Sequence, residues 1–118
     1  MTSAGLTACT LHDPLNSNIQ KKTVTVTWEN GKTPTNESVV SIAGIVIFSI
    51  YYSGLSFTQQ CVQIGSVPSA YIPASPLYIG SGLGGGKYLY ISNTGVIMVK
   101  ADSAATNVVA AFNIAYAV

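Results

Sequence analysis

The run Val39-Val40-Ser41-Ile42-Ala43-Gly44-Ile45-Val46-Ile47-Phe48-Ser49-Ile50-Tyr51-Tyr52-Ser53-Gly54-Leu55-Ser56-Phe57 decides how this chain folds. It contains no charged residue, and its 19 residues are enough to cross a bilayer as a helix. Its internal period argues for something else. Val40, Ile42, Val46, Phe48, Ile50 and Tyr52 share one parity, interrupted only at Gly44. The other parity reads Val39, Ser41, Ala43, Ile45, Ile47, Ser49 and Tyr51, which is smaller and more mixed. Period-two alternation of β-branched and aromatic residues is a strand signal. The run is therefore read as a buried strand and not as a membrane span.

The surrounding chain has the same character. Of its 118 residues 48% are hydrophobic and 8% charged, with a formal net charge of +1. Soluble domains carry about 25% charged residues. Between Glu37 and Lys87 lie 49 residues without Asp, Glu, Lys, Arg or His. Nucleic-acid binders and polybasic membrane-surface proteins need clustered Lys and Arg, so this composition excludes both. Disordered chains are poor in apolar residues, which this one is not. The length suits one core, so residues 1–118 are read as a single domain with 1–20 as an amino-terminal extension or linker. Met1 to Cys9 lack the basic start and apolar run of a signal peptide.

Further strands are expected on either side. Thr23 to Trp28 places Val24, Val26 and Trp28 on one face, and Asn30-Gly31 suits a tight turn. Leu55 to Ile64 reads as a strand, and the proline-rich Ser66 to Pro76 as a loop or irregular edge. Leu77 to Ile79 is short. Lys87 to Ser92 and Val96 to Lys100 flank Asn93-Thr94-Gly95 as a hairpin. Ala101 to Thr106 suits a helical turn or bulge. Val108, Ala110, Phe112, Ile114, Tyr116 and Val118 then alternate with mostly small residues in a last strand. The fold expected is all-β, an antiparallel β-sandwich or jelly roll of about seven to eight strands.

Catalytic and metal chemistry find little to stand on. Gly80-Ser81-Gly82-Leu83-Gly84-Gly85 has the letters of a dinucleotide fingerprint, but a strand follows where the motif needs a helix. The phosphate-loop pattern fails at Ser81 and Tyr88. His12, the single histidine, stands beside Asp13, and neighbours in an extended chain point apart, so they do not make a triad pair. Asp13, Glu29, Glu37 and Asp102 are scattered. Cys9, Cys61 and one histidine fall short of a structural zinc site, and no acidic loop suggests calcium. The two cysteines could pair as a disulfide in an oxidising space, but without a signal peptide they read as buried thiols. The Asn36-Glu37-Ser38 sequon has meaning only on a secretory route. No catalytic residue, metal or cofactor is assigned, and the protein is read as a non-enzyme.

Aromatic residues are the better lead. Tyrosine joins an apolar face to a polar tip, which suits sugar stacking and subunit contacts alike. Tyr88 and Tyr90 share a strand face after the glycine run, where ordinary sheet packing is the competing reading. Tyr71, Tyr78, Tyr88, Tyr90 and Asn93 are the candidate ligand-binding residues.

The carboxyl-terminal half resembles the end of a bacteriophage tail-fibre or receptor-binding protein. The residues concerned are Tyr71-Ile72-Pro73, Tyr88-Leu89-Tyr90-Ile91-Ser92-Asn93-Thr94-Gly95-Val96-Ile97 and Ala111-Phe112-Asn113-Ile114-Ala115-Tyr116-Ala117-Val118. The likeness covers about the last fifty residues, as a style of sequence with no site motif to transfer, and the repeats of a fibre shaft are missing. It implies a β-sandwich head that forms a homotrimer and binds host-surface saccharide or a teichoic-acid-like polymer. It further implies assembly in the host cytoplasm into a virion, alongside other virion proteins. Neither nucleic acid nor membrane insertion enters this reading. Burial of a small-residue sheet face against a symmetric neighbour would also accommodate the shortage of charge. Two other classes fit the sequence: a structural virion component, such as a capsid decoration or tail-tip protein, and a cellular lectin-like module.

Overall fold

The computed structural model describes residues 20–58, 60–80 and 87–118. Among them are nine strands and one 3-10 turn: β1 Lys21–Thr23, β2 Thr27–Trp28, β3 Asn36–Ile42, β4 Ile45–Phe57, β5 Gln60–Ser66, the turn Ser69–Tyr71, β6 Leu77–Gly80, β7 Tyr88–Ile91, β8 Val96–Ala101 and β9 Ala105–Ala117. They form a four-stranded sheet in the order β1-β3-β4-β9 and a five-stranded sheet in the order β2-β5-β8-β7-β6. Every pairing is antiparallel. The chain changes sheet between β1 and β2, β2 and β3, β4 and β5, and β8 and β9. Because β4 pairs with β9 and β5 with β8, one long ribbon continues across both sheets, as in a jelly roll.

The all-β sandwich follows the sequence reading, with nine strands in place of seven or eight, and three of the expected strands divide. Val39–Phe57 is a hairpin. Ala43 and Gly44 take φ of 51° and 80°, the paired positive angles of a type I′ turn, and Ile42 pairs with Ile45. Glycine reaches that region without strain, whereas Ala43 does so against its Cβ. The turn also exchanges the faces. Val39 and Ser41 point inward with Val46, Phe48, Ile50 and Tyr52, while Val40 and Ile42 lie on the outer side. Thr23–Trp28 also divides, into β1 in one sheet and β2 in the other, with buried Val24 and Val26 on the crossing between them. Asn30-Gly31 forms its turn, Lys32 N–H donating to the Glu29 carbonyl at 2.9 Å, but that turn links strands of different sheets. Within the expected strand Leu55–Ile64, β4 ends at Phe57 and β5 starts at Gln60.

One core fills the space between the sheets. Val46, Phe48, Ile50, Leu55, Ala110, Phe112 and Tyr116 face Ile64, Ile79, Leu89, Ile91, Ile97 and Val99. Trp28 packs at its margin, and its indole N–H donates to a Glu37 carboxylate oxygen at 3.0 Å. The β7–β8 hairpin forms as read from the sequence. Buried Ser92 Oγ accepts from the N–H of Thr94 at 3.2 Å and of Val96 at 3.1 Å, satisfying the turn.

Two buried tyrosines tie loops to the four-stranded sheet. The Tyr52 hydroxyl donates to the Lys32 carbonyl at 2.6 Å, and that of Tyr116 to the Tyr71 carbonyl at 2.7 Å. Burial pushes the Tyr116 phenol from 10.0 up to about 12, and burial, with Glu37 adding repulsion, raises Tyr52 as well. The unfolded chain releases these protons near pH 10 while the folded chain keeps them. Stability from Tyr116 is therefore whole below pH 10 and falls as pH rises to about 12. Urea midpoints measured from pH 9 to about pH 12 should decline through that interval. Tyr116→Phe should make the decline shallower, leaving the part that Tyr52 contributes, and cost about 1 kcal/mol at neutral pH, the worth of one hydrogen bond.

Candidate functional site

Side chains alternate between core and outside along β6, β7 and β8, and along β5 as far as its irregularity at Ile64–Gly65. On β7, Leu89 and Ile91 are buried, while Tyr88 and Tyr90 are half-exposed. On β8, Ile97, Val99 and Ala101 are buried, while Met98 and Lys100 are half-exposed. The register sets these outward residues in two rows across four strands. One row is Cys61, Lys100, Tyr88 and Gly80, and the next is Gln63, Met98, Tyr90 and Tyr78.

Three tyrosines meet there. The Tyr78 ring lies 5.0 Å from that of Tyr90, at an interplanar angle of 60°. It lies 5.6 Å from that of Tyr88, at 52°. Both distances suit tilted aromatic contacts. The Lys100 ammonium sits 4.3 Å from the centre of the Tyr90 ring, a cation–π contact. Lys100 forms no ion pair among the described residues, whereas Lys87 reaches Asp102 at 3.4 Å. Tyr78 is 64% exposed, so its ring offers the free surface and the other two brace it. The result is an open, faceted aromatic platform with one cation at its side. Such a surface can stack on a flat apolar face and hydrogen-bond its rim through phenol and ammonium groups.

Of the sequence candidates, the structure brings Tyr78, Tyr88 and Tyr90 together. Tyr71 stands apart in the 3-10 turn, packed on the core with its carbonyl taking the Tyr116 hydroxyl. Asn93 is exposed in the β7–β8 turn. Three neighbours went unassigned in the sequence reading: Lys100, Met98 and Cys61. The hairpin centred on Asn93-Thr94-Gly95 carried the signal for the first two, because its register sets Tyr88 opposite Lys100 and Tyr90 opposite Met98. Cys61 corrects an expectation, for its thiol is exposed and 3.0 Å from the Met98 sulfur. Strand β5 turns it outward, opposite Lys100. Cys9, His12, Asp13 and Ser81–Gly86 lie outside the described residues.

A groove of about 330 Å³ lies elsewhere, between the β1–β2 crossing and β3. Thr23, Val24, Val26, Val39 and Glu37 are among its lining residues, and the Glu37 carboxylate already accepts from Trp28. It offers an apolar hollow without a set of reactive groups. No protein-family model, curated protein or solved structure matches this chain.

Proposed function

We propose that this chain is a non-enzymatic recognition domain that holds a saccharide polymer of a host-cell surface on the outer face of its five-stranded sheet. It would act as an oligomer in a bacteriophage receptor-binding or tail-fibre head, carried on the virion. The observation behind the reading is the exposed Tyr78 ring, braced by Tyr88 and Tyr90 with Lys100 alongside. Because the platform is open rather than a pocket, it suits a segment of a long chain better than a small molecule, which concave sites bury. The likeness of the carboxyl-terminal half to phage tail proteins supports the setting.

Glycan-array binding and adsorption to host cells test the proposal. Wild type should retain a polysaccharide that Tyr78→Ala binds at least about tenfold more weakly, roughly 1.4 kcal/mol, because the truncated ring is the exposed anchor. Equal binding by both proteins would reject this site. Failure of the wild type on every glycan would favour the purely structural virion role, which has the exposed Ile45, Ile47 and Tyr51 on the outer side of β4 in its support.

A further inference from the structure

Proteins keep the edges of their sheets from pairing with other chains by making edge strands short or charging them. Three of the edge strands here follow that rule. β1 has three residues and holds Lys21 and Lys22, β2 has two residues and β6 has four. β9 does not. It runs for 13 residues along the open side of the four-stranded sheet, without a charge or a proline.

The hydrogen bonds fix which of its backbone groups are free. Val118 N–H donates to the Gly44 carbonyl at 3.0 Å, at the end of the β4–β9 ladder. Bonded residues alternate along an antiparallel strand, so Tyr116, Ile114 and Phe112 also turn their N–H and C=O toward β4. Ala111, Asn113, Ala115 and Ala117 turn theirs to the open edge. The far side of β4 agrees, because Tyr51, opposite Ala111, uses its carbonyl there to accept from Thr35 N–H at 2.8 Å. Among the described residues the outward backbone groups of these four have no partner. The core shows the same opening from within. Ile114 faces inward yet is only half-buried, whereas Phe112 on the same face is fully buried.

We infer that β9 of a second copy of this chain pairs antiparallel with this edge, about a two-fold axis perpendicular to the sheet and midway between the two copies of Asn113. The pairing joins two four-stranded sheets into one. Another extended backbone is what offers donors and acceptors at the spacing of this row. In this register Ala111 pairs with Ala115 of the second copy and the two Asn113 residues pair with each other, giving about six backbone hydrogen bonds. Both faces of the strand match themselves. On the outer face Asn113 Oδ1 accepts from the Ser49 hydroxyl at 2.6 Å, which leaves Nδ2 to donate to Oδ1 of the second Asn113. On the inner face Ile114 of each copy lies beside Phe112 of the other, which covers its open side. A two-fold sets each strand against its own sequence, so a charged edge would meet like charge, and β9 carries none. The contact is two-fold where the family resemblance implies a three-fold. A perpendicular axis also keeps both tyrosine platforms on one side of the dimer, where a single polymer chain can reach the two. That consequence rests on the saccharide reading, and the pairing itself does not.

Sedimentation equilibrium of the full chain at high micromolar concentration should give about 25 kDa, twice the 12.3 kDa of one copy. In the same sample the N–H groups of Ala111, Asn113 and Ala115 should exchange with solvent at least about tenfold more slowly than after dilution to monomer. Those of Phe112, Ile114 and Tyr116, bonded to β4, should be protected in both. In samples mixed from two differently labelled copies, isotope-filtered NMR should show the α-proton of Phe112 against that of Ile114 in the other chain. These readouts need no variant. Ala115→Pro removes an outward donor and leaves the β4 ladder whole, so it should be a monomer with the β-sheet circular dichroism retained. A wild-type monomer would overturn the inference and leave the edge to a strand of another protein. An oligomer whose Ala111, Asn113 and Ala115 amides exchange as fast as in the monomer, or one that folded Ala115→Pro leaves intact, would overturn it too. The tyrosine rings play no part in these measurements, so the pairing can fail without the saccharide site failing, and the reverse.

Discussion

Phe112→Ala is expected to lower the stability of the fold by about 3–5 kcal/mol. Phe112 is fully buried near the middle of β9, paired with Ile50 of β4 and facing the five-stranded sheet. Removing the ring loses its transfer from water and opens a hole that strands on two long ladders cannot collapse to fill. A domain of this size holds roughly 5–15 kcal/mol in all, so the variant approaches the limit of folding. Urea denaturation reads the effect as a large fall in midpoint with little change in slope. Phe112→Leu, which keeps most of the volume, should lose less than half as much. A loss below about 1 kcal/mol for the alanine variant would mean that the sheets do not close on this residue.

Gly65→Ala should be the next most damaging change, through crowding rather than a void. A Cβ at this position would stand 2.7 Å from the Thr27 carbonyl oxygen and 2.8 Å from Trp28 Cε3. The neighbours are a backbone atom and a ring already packed on the core, so neither can move aside cheaply. The position also lies at the irregularity in the β5–β8 ladder, between Gln63 and Gly65. Overpacking of this kind costs about 1–3 kcal/mol. Strand β2 pairs with β5 only through Thr27–Ser66 and Trp28–Gly65, so the strain falls on the docking of that edge. Trp28 is the single tryptophan, and its fluorescence should shift to the red in the folded variant. Unchanged emission with unchanged stability would contradict the packing described here.

Much of this fold could be read from the order of residues, and the failures share one cause. Alternation reports that a segment is a strand, but names its buried face only when the two faces differ. In Val39–Phe57 both parities are apolar, because the outer face of the four-stranded sheet carries Ile45, Ile47 and Tyr51. The exchange of faces at Ala43-Gly44 therefore left no contrast to detect, and Ala-Gly is a weaker hairpin signal than Asn-Gly. At Thr23–Trp28, Val24 and Val26 remain buried while the chain crosses between sheets, so the pattern runs on through the break. Asn93-Thr94-Gly95, with a hairpin signal and contrasting faces on both sides, was legible in full.

The site was legible to the extent that it is local. Tyr88 and Tyr90 share a face by spacing alone. Tyr78 joins them through the β6–β7 pairing, across a segment whose length does not fix a register. Tyr71 lies nearby in sequence, but its ring packs on the core and its carbonyl meets β9, a long-range contact that no local pattern encodes.

The platform built around Tyr78 is the central functional claim, and its most direct test is an NMR titration of the tyrosine rings. The probe is a soluble fragment of whichever host-surface polysaccharide wild type retains on the array. The ring signals of Tyr78, Tyr88 and Tyr90 should move together and saturate in step, while those of buried Tyr52 and Tyr116 stay in place. Shifts confined to tyrosines outside the platform, or binding that moves none of the three, would contradict the claim.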